Sequence, residues 1–454
     1  MKCVRCRTDN NLKERTEAGG RCKNCHHPFV FDPKAGSKFT DIFFNNSIQT
    51  ISAENTLFFT PKQLWYLIEK RLVKKNNYNL LGCSVVPIIF LGFLIIFSNL
   101  VIGINLGREI YLSIVLLVLI LVSTWGSQSK ECQPKTRRSF ARAIQVYGVL
   151  IIVTVLVWFV KFSNVTTTAF LLFILGTGLG IFLIYFGMQQ LNIQHKIPQS
   201  LQFKQSTIIE SLIRWERTNG EVTNILPPSR QRTRNRQINS EISSYSFDRV
   251  IVCDTAEIAQ ILIANNFHFE HNCAVLSIDG YPQNIFSTVM EMLRRNSDLK
   301  VYAFHNATPA GVSILNQLRN NPNWFLGNNL IIYDLGLFPR HVFASKNMWI
   351  LKSDESARLA RQIPTAVKQT LSADELAWLE AGYYVELESF TPRKLLQVVS
   401  QGITKTQAIA NGSGSDLDIS LDYSNNSDEG VIFINLGDDS NSRNSGFFAS
   451  DSFG

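Results

Sequence analysis

Cys3, Cys6, Cys22 and Cys25 form two Cys-x-x-Cys pairs separated by fifteen residues, a spacing suited to a four-thiolate metal site. Each pair turns two sulfurs to one side of a tight bend, and two bends complete a tetrahedron around zinc at about 2.3 Å per Zn–S bond. A closed set of four thiolates keeps no open position for water or substrate. The zinc expected here is therefore structural, folding a segment too short to own a core. His26 and His27 are the alternative ligands under a mixed Cys/His set. Thiols persist as ligands in a reducing compartment, which points the N-terminus into a cytoplasm. Cys83, Cys132, Cys253 and Cys273 show no pairing pattern and read as reduced thiols.

A second set of chemistry-bearing residues lies far down the chain. Asp254 closes the apolar run Arg249 to Cys253, and His305-Asn306-Ala307-Thr308-Pro309-Ala310-Gly311 follows the run Lys300 to Phe304. Further strand-like runs, Ala274 to Ile278 and Leu330 to Asp334, alternate with helical stretches at 257–264, 285–295 and 312–318. That alternation predicts an α/β domain with a parallel sheet over 247–402. Ligands sit at the carboxyl ends of such strands, so Asp254, His305, Asn306, Thr308 and Gly311 are the candidate binding residues. Asp279 and Asp334 also fall near strand ends.

Two resemblances attach to these residues. Residues 1–33 resemble a zinc ribbon, although the position after each second cysteine, often Gly in ribbons, is Arg7 and His26 here. Residues 247–402 resemble a Toprim domain, the metal-dependent nucleic-acid module of topoisomerases, primases and related nucleases. In that family an acid closes the first strand, and a later strand ends in a turn of the form His-Asp-Ala-Asp-Pro-Ala-Gly. Asp254, His305, Pro309 and Gly311 match, whereas Asn306 and Thr308 replace both later carboxylates. The stretch Tyr384 to Pro392 is similar to the closing segment of the topoisomerase VI A and related nuclease type. Magnesium is held by charged oxygens, and Asn and Thr supply only neutral ones, so the resemblance implies a catalytically degenerate Toprim-like domain in which Asp254 alone is a catalytic candidate.

The elements between these modules belong in lipid. Crossing a bilayer core of roughly 30 Å takes about 20 apolar residues as a helix. Runs at 80–103, 110–126, 143–160 and 167–188 carry no charge and predict a bundle of four transmembrane helices over 80–188. Lys70, Arg71, Lys74 and Lys75 precede the first run, and Lys130, Lys135, Arg137, Arg138 and Arg142 lie between the second and third. Basic residues collect on the cytoplasmic side, which predicts a multi-pass protein with both termini cytoplasmic, in a bacterial-type inner membrane. The absence of ionisable residues within the runs argues against a conduit. Gly176 and Gly180 form a small-xxx-small spacing suited to helix packing or homo-oligomerisation.

Residues 39–76 read as a helical juxtamembrane segment, with Thr60 as N-cap and Pro61 as first helical residue. An amphipathic helix and a basic linker occupy 204–246. The net charge of +8 is explained as well by anionic lipid beside these segments as by nucleic acid. An acidic tail over 408–454 is expected to be disordered, with Gly430 to Leu436 as its one candidate docking strand. The expectation is a multi-domain, membrane-anchored interaction or scaffold protein with a structural zinc site. Its partners are the lipid bilayer and a protein, with nucleic acid less favoured. The competing readings are a membrane-tethered metal-dependent nuclease and a transporter or channel.

Overall fold

The computed structural model describes residues 1–75, 108–129, 134–161, 167–193, 196–228, 247–295, 299–326, 330–345, 348–410 and 431–433. The chain forms two compact units. Met1–Lys70, Leu201–Ser345 and Lys352–Gly454 make one, and Arg71–Ser200 with Lys346–Leu351 make the other. The N-terminal and C-terminal modules of the sequence are thus joined in a single unit.

In that unit, α1 (Leu12–Glu17) lies between the cysteine pairs and opens on a capping box formed by Asn11 and Glu14. The helix α2 (Asp41–Ile51) is tied to the cysteine-paired segment by Asp41. Its buried carboxylate accepts the N–H groups of Val30 at 3.1 Å and Phe31 at 2.7 Å. Phe31 then packs against Phe39 and Phe44, with ring centroids 4.9 Å away in both cases. The helix α3 (Pro61–Lys75) starts as the sequence predicts. Gln63 N–H donates to Thr60 Oγ1 at 3.2 Å, and Gln63 Oε1 accepts from Thr60 N–H at 3.1 Å, a reciprocal cap that satisfies two otherwise orphaned donors.

The second unit contains α4 (Arg108–Gln128), α5 (Pro134–Lys161) and α6 (Thr167–Ile193). Two stretches, Thr136–Val157 and Phe173–Ile193, are long and apolar enough to cross a membrane, and Leu116–Gln128 is a shorter apolar helix. Only 28% and 22% of the two apolar windows is buried, whereas the core helix of a soluble protein is mostly buried. Leu150, Val153, Val157, Leu175, Ile181 and Phe182 are all exposed. The run at 80–103 lies outside the described residues. The basic stretch between the second and third runs is largely helix: Pro134 occupies its first position, so Arg137, Arg138 and Arg142 extend α5 rather than form a connecting loop.

Gly176 and Gly180 are used within the chain. A Cβ on Gly180 would lie 2.4 Å from Ile152 Cγ1 and 2.8 Å from the Gly148 carbonyl, and one on Gly176 would lie 2.6 Å from Val155 Cγ2. The small residues thus let α5 and α6 meet backbone to backbone. Gly180→Leu is expected to force the pair apart at a cost of about 1–3 kcal/mol or more, read as a lowered thermal midpoint in detergent.

Returning to the first unit, α7 (Gln205–Asn219) buries Ile208, Leu212 and Trp215. The Trp215 ring lies parallel to Phe31 at 6.1 Å. The α/β domain follows, with β1 (Arg249–Cys253), α8 (Ala256–Ala264), β2 (Cys273–Ser277), α9 (Gln283–Arg295), β3 (Lys300–Phe304) and β4 (Ile332–Asp334). The helix α10 (Pro392–Ala410) comes next, and β5 (Val431–Phe433) comes from the acidic tail. The sheet order is β2-β1-β3-β4-β5 with every pair parallel. Near-continuous apolar strands follow from burial on both faces. Val250, Val252, Leu276 and Val301 join Val289, Met290 and Leu293 of α9 in one core. On α10, Thr406 Oγ1 is hydrogen-bonded to the Tyr302 hydroxyl at 2.8 Å. The tail thus contributes an edge strand at the segment singled out as a candidate docking strand.

Candidate functional site

The four cysteines converge. Cys3 and Cys25 sulfurs are 3.6 Å apart, Cys6 and Cys22 sulfurs 3.5 Å, and all four lie within 4.8 Å of one another. Thiolates at the corners of a zinc tetrahedron with 2.3 Å bonds would lie about 3.8 Å apart, so the cluster has the dimensions to hold a metal ion. Both bends repeat one geometry. Cys3 N–H donates to Thr8 O at 2.9 Å and Arg7 N–H to Cys3 O at 3.0 Å, while Cys22 N–H donates to His27 O at 2.9 Å and His26 N–H to Cys22 O at 3.0 Å. Hydrogen bonding to Thr8 pulls the Cys6 thiol down to about 6, whereas burial pushes the Cys3 thiol up to about 12. His27 Nε2 lies 3.0 Å from Asn219 Oδ1, and the clustered sulfurs belong to the four cysteines alone.

Arg7 and His26 adopt left-handed backbone with φ of 62° and 56°, the conformation for which Gly is usual. Non-Gly residues pay roughly 1–2 kcal/mol there, so Arg7→Gly and His26→Gly are each expected to raise stability by about 0.5–1 kcal/mol in denaturant unfolding. One residue that sequence reasoning missed binds the two bends together. The buried Asn10 donates through Nδ2 to Thr8 O at 2.8 Å and to Cys22 Sγ at 3.5 Å, while its Oδ1 accepts from Lys23 N–H at 2.8 Å.

The second site forms where the sheet order reverses. The chain leaves β1 for β2 on one side and returns to β3 on the other, so the loops after β1 and β3 flank the crevice where ligands of such sheets bind. Asp254 and His305 stand at those two positions. Asp254 Oδ2 accepts the Asn306 N–H at 2.8 Å, while its Oδ1 is enclosed without a partner among the described residues. Burial pushes the Asp254 carboxyl up to about 6, against the opposing pull of the Asn306 N–H and His305.

That shift has a stability consequence. Since the folded acid holds its proton above the ordinary value of 3.8, the native state is penalised as pH rises from about 4 to about 6 and stays so above. Asn, which mimics the neutral acid, removes the penalty. Asp254→Asn is expected to stabilise the protein by about 1–2 kcal/mol at pH 8 and to make no difference below about pH 4, measured by urea unfolding.

His305 is fully enclosed. Its Nδ1 lies 2.9 Å from the Asn306 carbonyl and its Nε2 3.0 Å from Asp334 Oδ1, which also accepts the Gly336 N–H at 2.8 Å. Acceptors on both ring nitrogens call for a proton on each. Burial favours the neutral ring, but the Asp334 charge and both hydrogen bonds outweigh it and raise the histidine above its ordinary value. His305 and Asp334 therefore form a buried ion pair between β3 and β4.

The other candidate residues serve the backbone. Asn306 Oδ1 accepts the Leu387 N–H at 2.6 Å, and Thr308 Oγ1 accepts the Gly311 N–H at 3.0 Å. Gly311 is required by close approach: a Cβ there would lie 2.1 Å from the Asn306 carbonyl. Asp279 is exposed on the turn after β2. Among the described residues, the four cysteines are the one group with three or more suitably placed metal-ligating side chains.

From Asn306 the hydrogen bonds continue to α3. Ala307 and Val385 exchange backbone bonds at 3.0 and 3.2 Å beside the Asn306–Leu387 contact. On the same segment, Glu386 and Glu388 hold Lys62 Nζ at 2.9 and 3.0 Å, and Tyr66 OH donates to Glu386 at 2.5 Å. Burial acts to lower the Lys62 value, yet the charges of Glu388 and Glu386 hold it above the usual lysine range. Lys70 Nζ donates to the Ser389 carbonyl, and burial lowers it to about 8. Nothing in the local sequence pairs these residues, which are more than 300 positions apart.

No family model matches the chain, and no curated protein is significantly similar to it.

Proposed function

We propose that this chain is a membrane-anchored cytoplasmic scaffold, with a structural zinc ribbon and a Toprim-like domain that has lost its chemistry. The observation that carries the reading is the fate of Asn306 and Thr308. They occupy the two positions where the Toprim motif has carboxylates, and each commits its side-chain oxygen to a backbone N–H. A divalent ion there would find neutral oxygens already engaged, and phosphodiester cleavage would lack its charge neutralisation.

The membrane topology follows from the soluble unit. Met1–Lys70 and Leu201–Ser345 belong to one compact unit, which supports a reading in which the chain between them crosses the bilayer an even number of times. The basic flanks and the metal-site spacing of the four thiols support a cytoplasmic location for both ends. Two spans satisfy this count, as do four with the run at 80–103 and the shorter apolar helix included.

The full chain in lipid nanodiscs, incubated with Mg²⁺ or Mn²⁺ and supercoiled DNA or single-stranded RNA, is expected to leave both intact. Metal-dependent cleavage abolished by Asp254→Ala would establish the nuclease reading instead.

A further inference from the structure

The helix α7 has two apolar stripes, and among the described residues only one is buried. Ile208, Leu212 and Trp215 are buried in the soluble unit, whereas Ile209 and Ile213 are 37% and 43% exposed on the outer side, one helical turn apart. Leu201, just before the helix, is 40% exposed. Exposed cations accompany them: Lys204 at the helix start, Arg214 and Arg217 on α7, and Lys38, whose Nζ donates to Gln202 O at 3.1 Å. Glu210 is exposed and Glu216 half-buried on the same helix, and the Arg214 guanidinium lies over the Phe31 ring, 5.8 Å from its centroid.

We infer that the outer stripe of α7 lies on the membrane, as an in-plane helix with Ile209 and Ile213 in the headgroup region and its cations on anionic phosphate. The inference rests on the membrane-anchor reading and goes further by naming lipid as the occupant of this face. Two tethers bring the helix to the bilayer. The apolar stretch of α6 ends at Ile193, eight residues before Leu201, a reach of at most about 28 Å. The segment entering α7 is also fastened to α3. Glu69 accepts the N–H groups of Gln202 at 3.0 Å and Phe203 at 2.7 Å, and Trp65 Nε1 donates to Phe203 O at 3.3 Å. The helix α3 ends at Lys75, five residues before the apolar run that begins at Leu80, which allows about 18 Å at most.

Amphipathic helices with basic flanks settle in this interface, where apolar burial and attraction to anionic lipid act together. The inner stripe would then hold the metal-binding segment from the other side, because Trp215 stacks on Phe31 and Asn219 contacts His27.

The test uses the full chain in nanodiscs of phosphatidylcholine and phosphatidylglycerol with brominated acyl chains. Single cysteines, Ile209→Cys, Ile213→Cys, Leu175→Cys and Glu355→Cys, carry an environment-sensitive fluorophore, and the unsubstituted chain labelled in parallel supplies the background. All four positions are exposed, so labelling leaves the core intact. Loss of fluorescence at 209, 213 and 175, with none at 355, is the expected result. Quenching at 175 alone overturns the inference and leaves the anchor standing. No quenching at 175 removes the anchor reading and this inference with it. Quenching at 355 as well shows non-selective collapse onto lipid and also overturns it.

Discussion

Cys22→Ser is expected to release the metal and unfold residues 1–33 while the sheet domain stays folded. Structural zinc sites supply about 10–16 kcal/mol of binding free energy, and a 33-residue segment cannot replace that by burying apolar surface. Cys22 is fully buried and receives the Asn10 amide, so the smaller, harder serine oxygen also loosens the contact that fastens one bend to the other. The damage should extend to Phe31, whose N–H is held by Asp41 and whose ring faces Trp215. Limited proteolysis would show early cuts before Phe31 and resistance across β1 to β4, and a chelator applied to the wild type should reproduce that pattern. Metal analysis gives the direct check, with about one zinc per chain in the wild type and none in the variant.

Asp334→Ala is expected to cost about 3–5 kcal/mol, because it leaves the enclosed His305 ring charged without its partner and the Gly336 N–H without an acceptor. The pH dependence follows from the raised His305 value. A histidine raised on folding contributes its full stabilisation below the unfolded value of about 6.5 and loses it as pH rises through the folded value. The gap between wild type and Asp334→Ala should therefore be widest below about pH 6.5 and narrow as pH rises above it, measured by urea unfolding in one detergent. A gap that widens with pH would show that the ring is neutral in the native state. Asp334→Asn, which keeps the shape and an acceptor for Gly336, should cost less than Asp334→Ala.

Local patterns were legible and long-range partnerships were not. The strands at 249–253 and 300–304 could be read because burial on both faces leaves an unbroken apolar signature, and the Thr60 cap could be read because its partner is three residues away. The cysteine cluster was legible for the same reason: its ligand spacing is a property of two short bends. Asp334 was noted only as a residue near a strand end. Its ion pair with His305 exists because β4 pairs with β3, a register that no single segment announces. The clamp of Lys62 and Tyr66 by Glu386 was equally invisible, since one partner lies before the long apolar helices and the other near the end of the sheet domain. The tail segment showed its stickiness in Val431 to Phe433 but not its destination beside β4. The start of α5 was misplaced because charge marked Lys135 to Arg142 as a loop, while Pro134 supports a helix start at that position.

The measurement that most directly tests the central claim is sided labelling of two exposed positions, one before and one after the long apolar helices. Lys13→Cys and Glu355→Cys would each be treated with a membrane-impermeant thiol reagent in sealed right-side-out and inverted vesicles, with the unsubstituted protein as background. A single soluble unit anchored at the cytoplasmic face predicts that both react in inverted vesicles and neither in right-side-out ones. Reaction of the two positions from opposite sides of the membrane would contradict it.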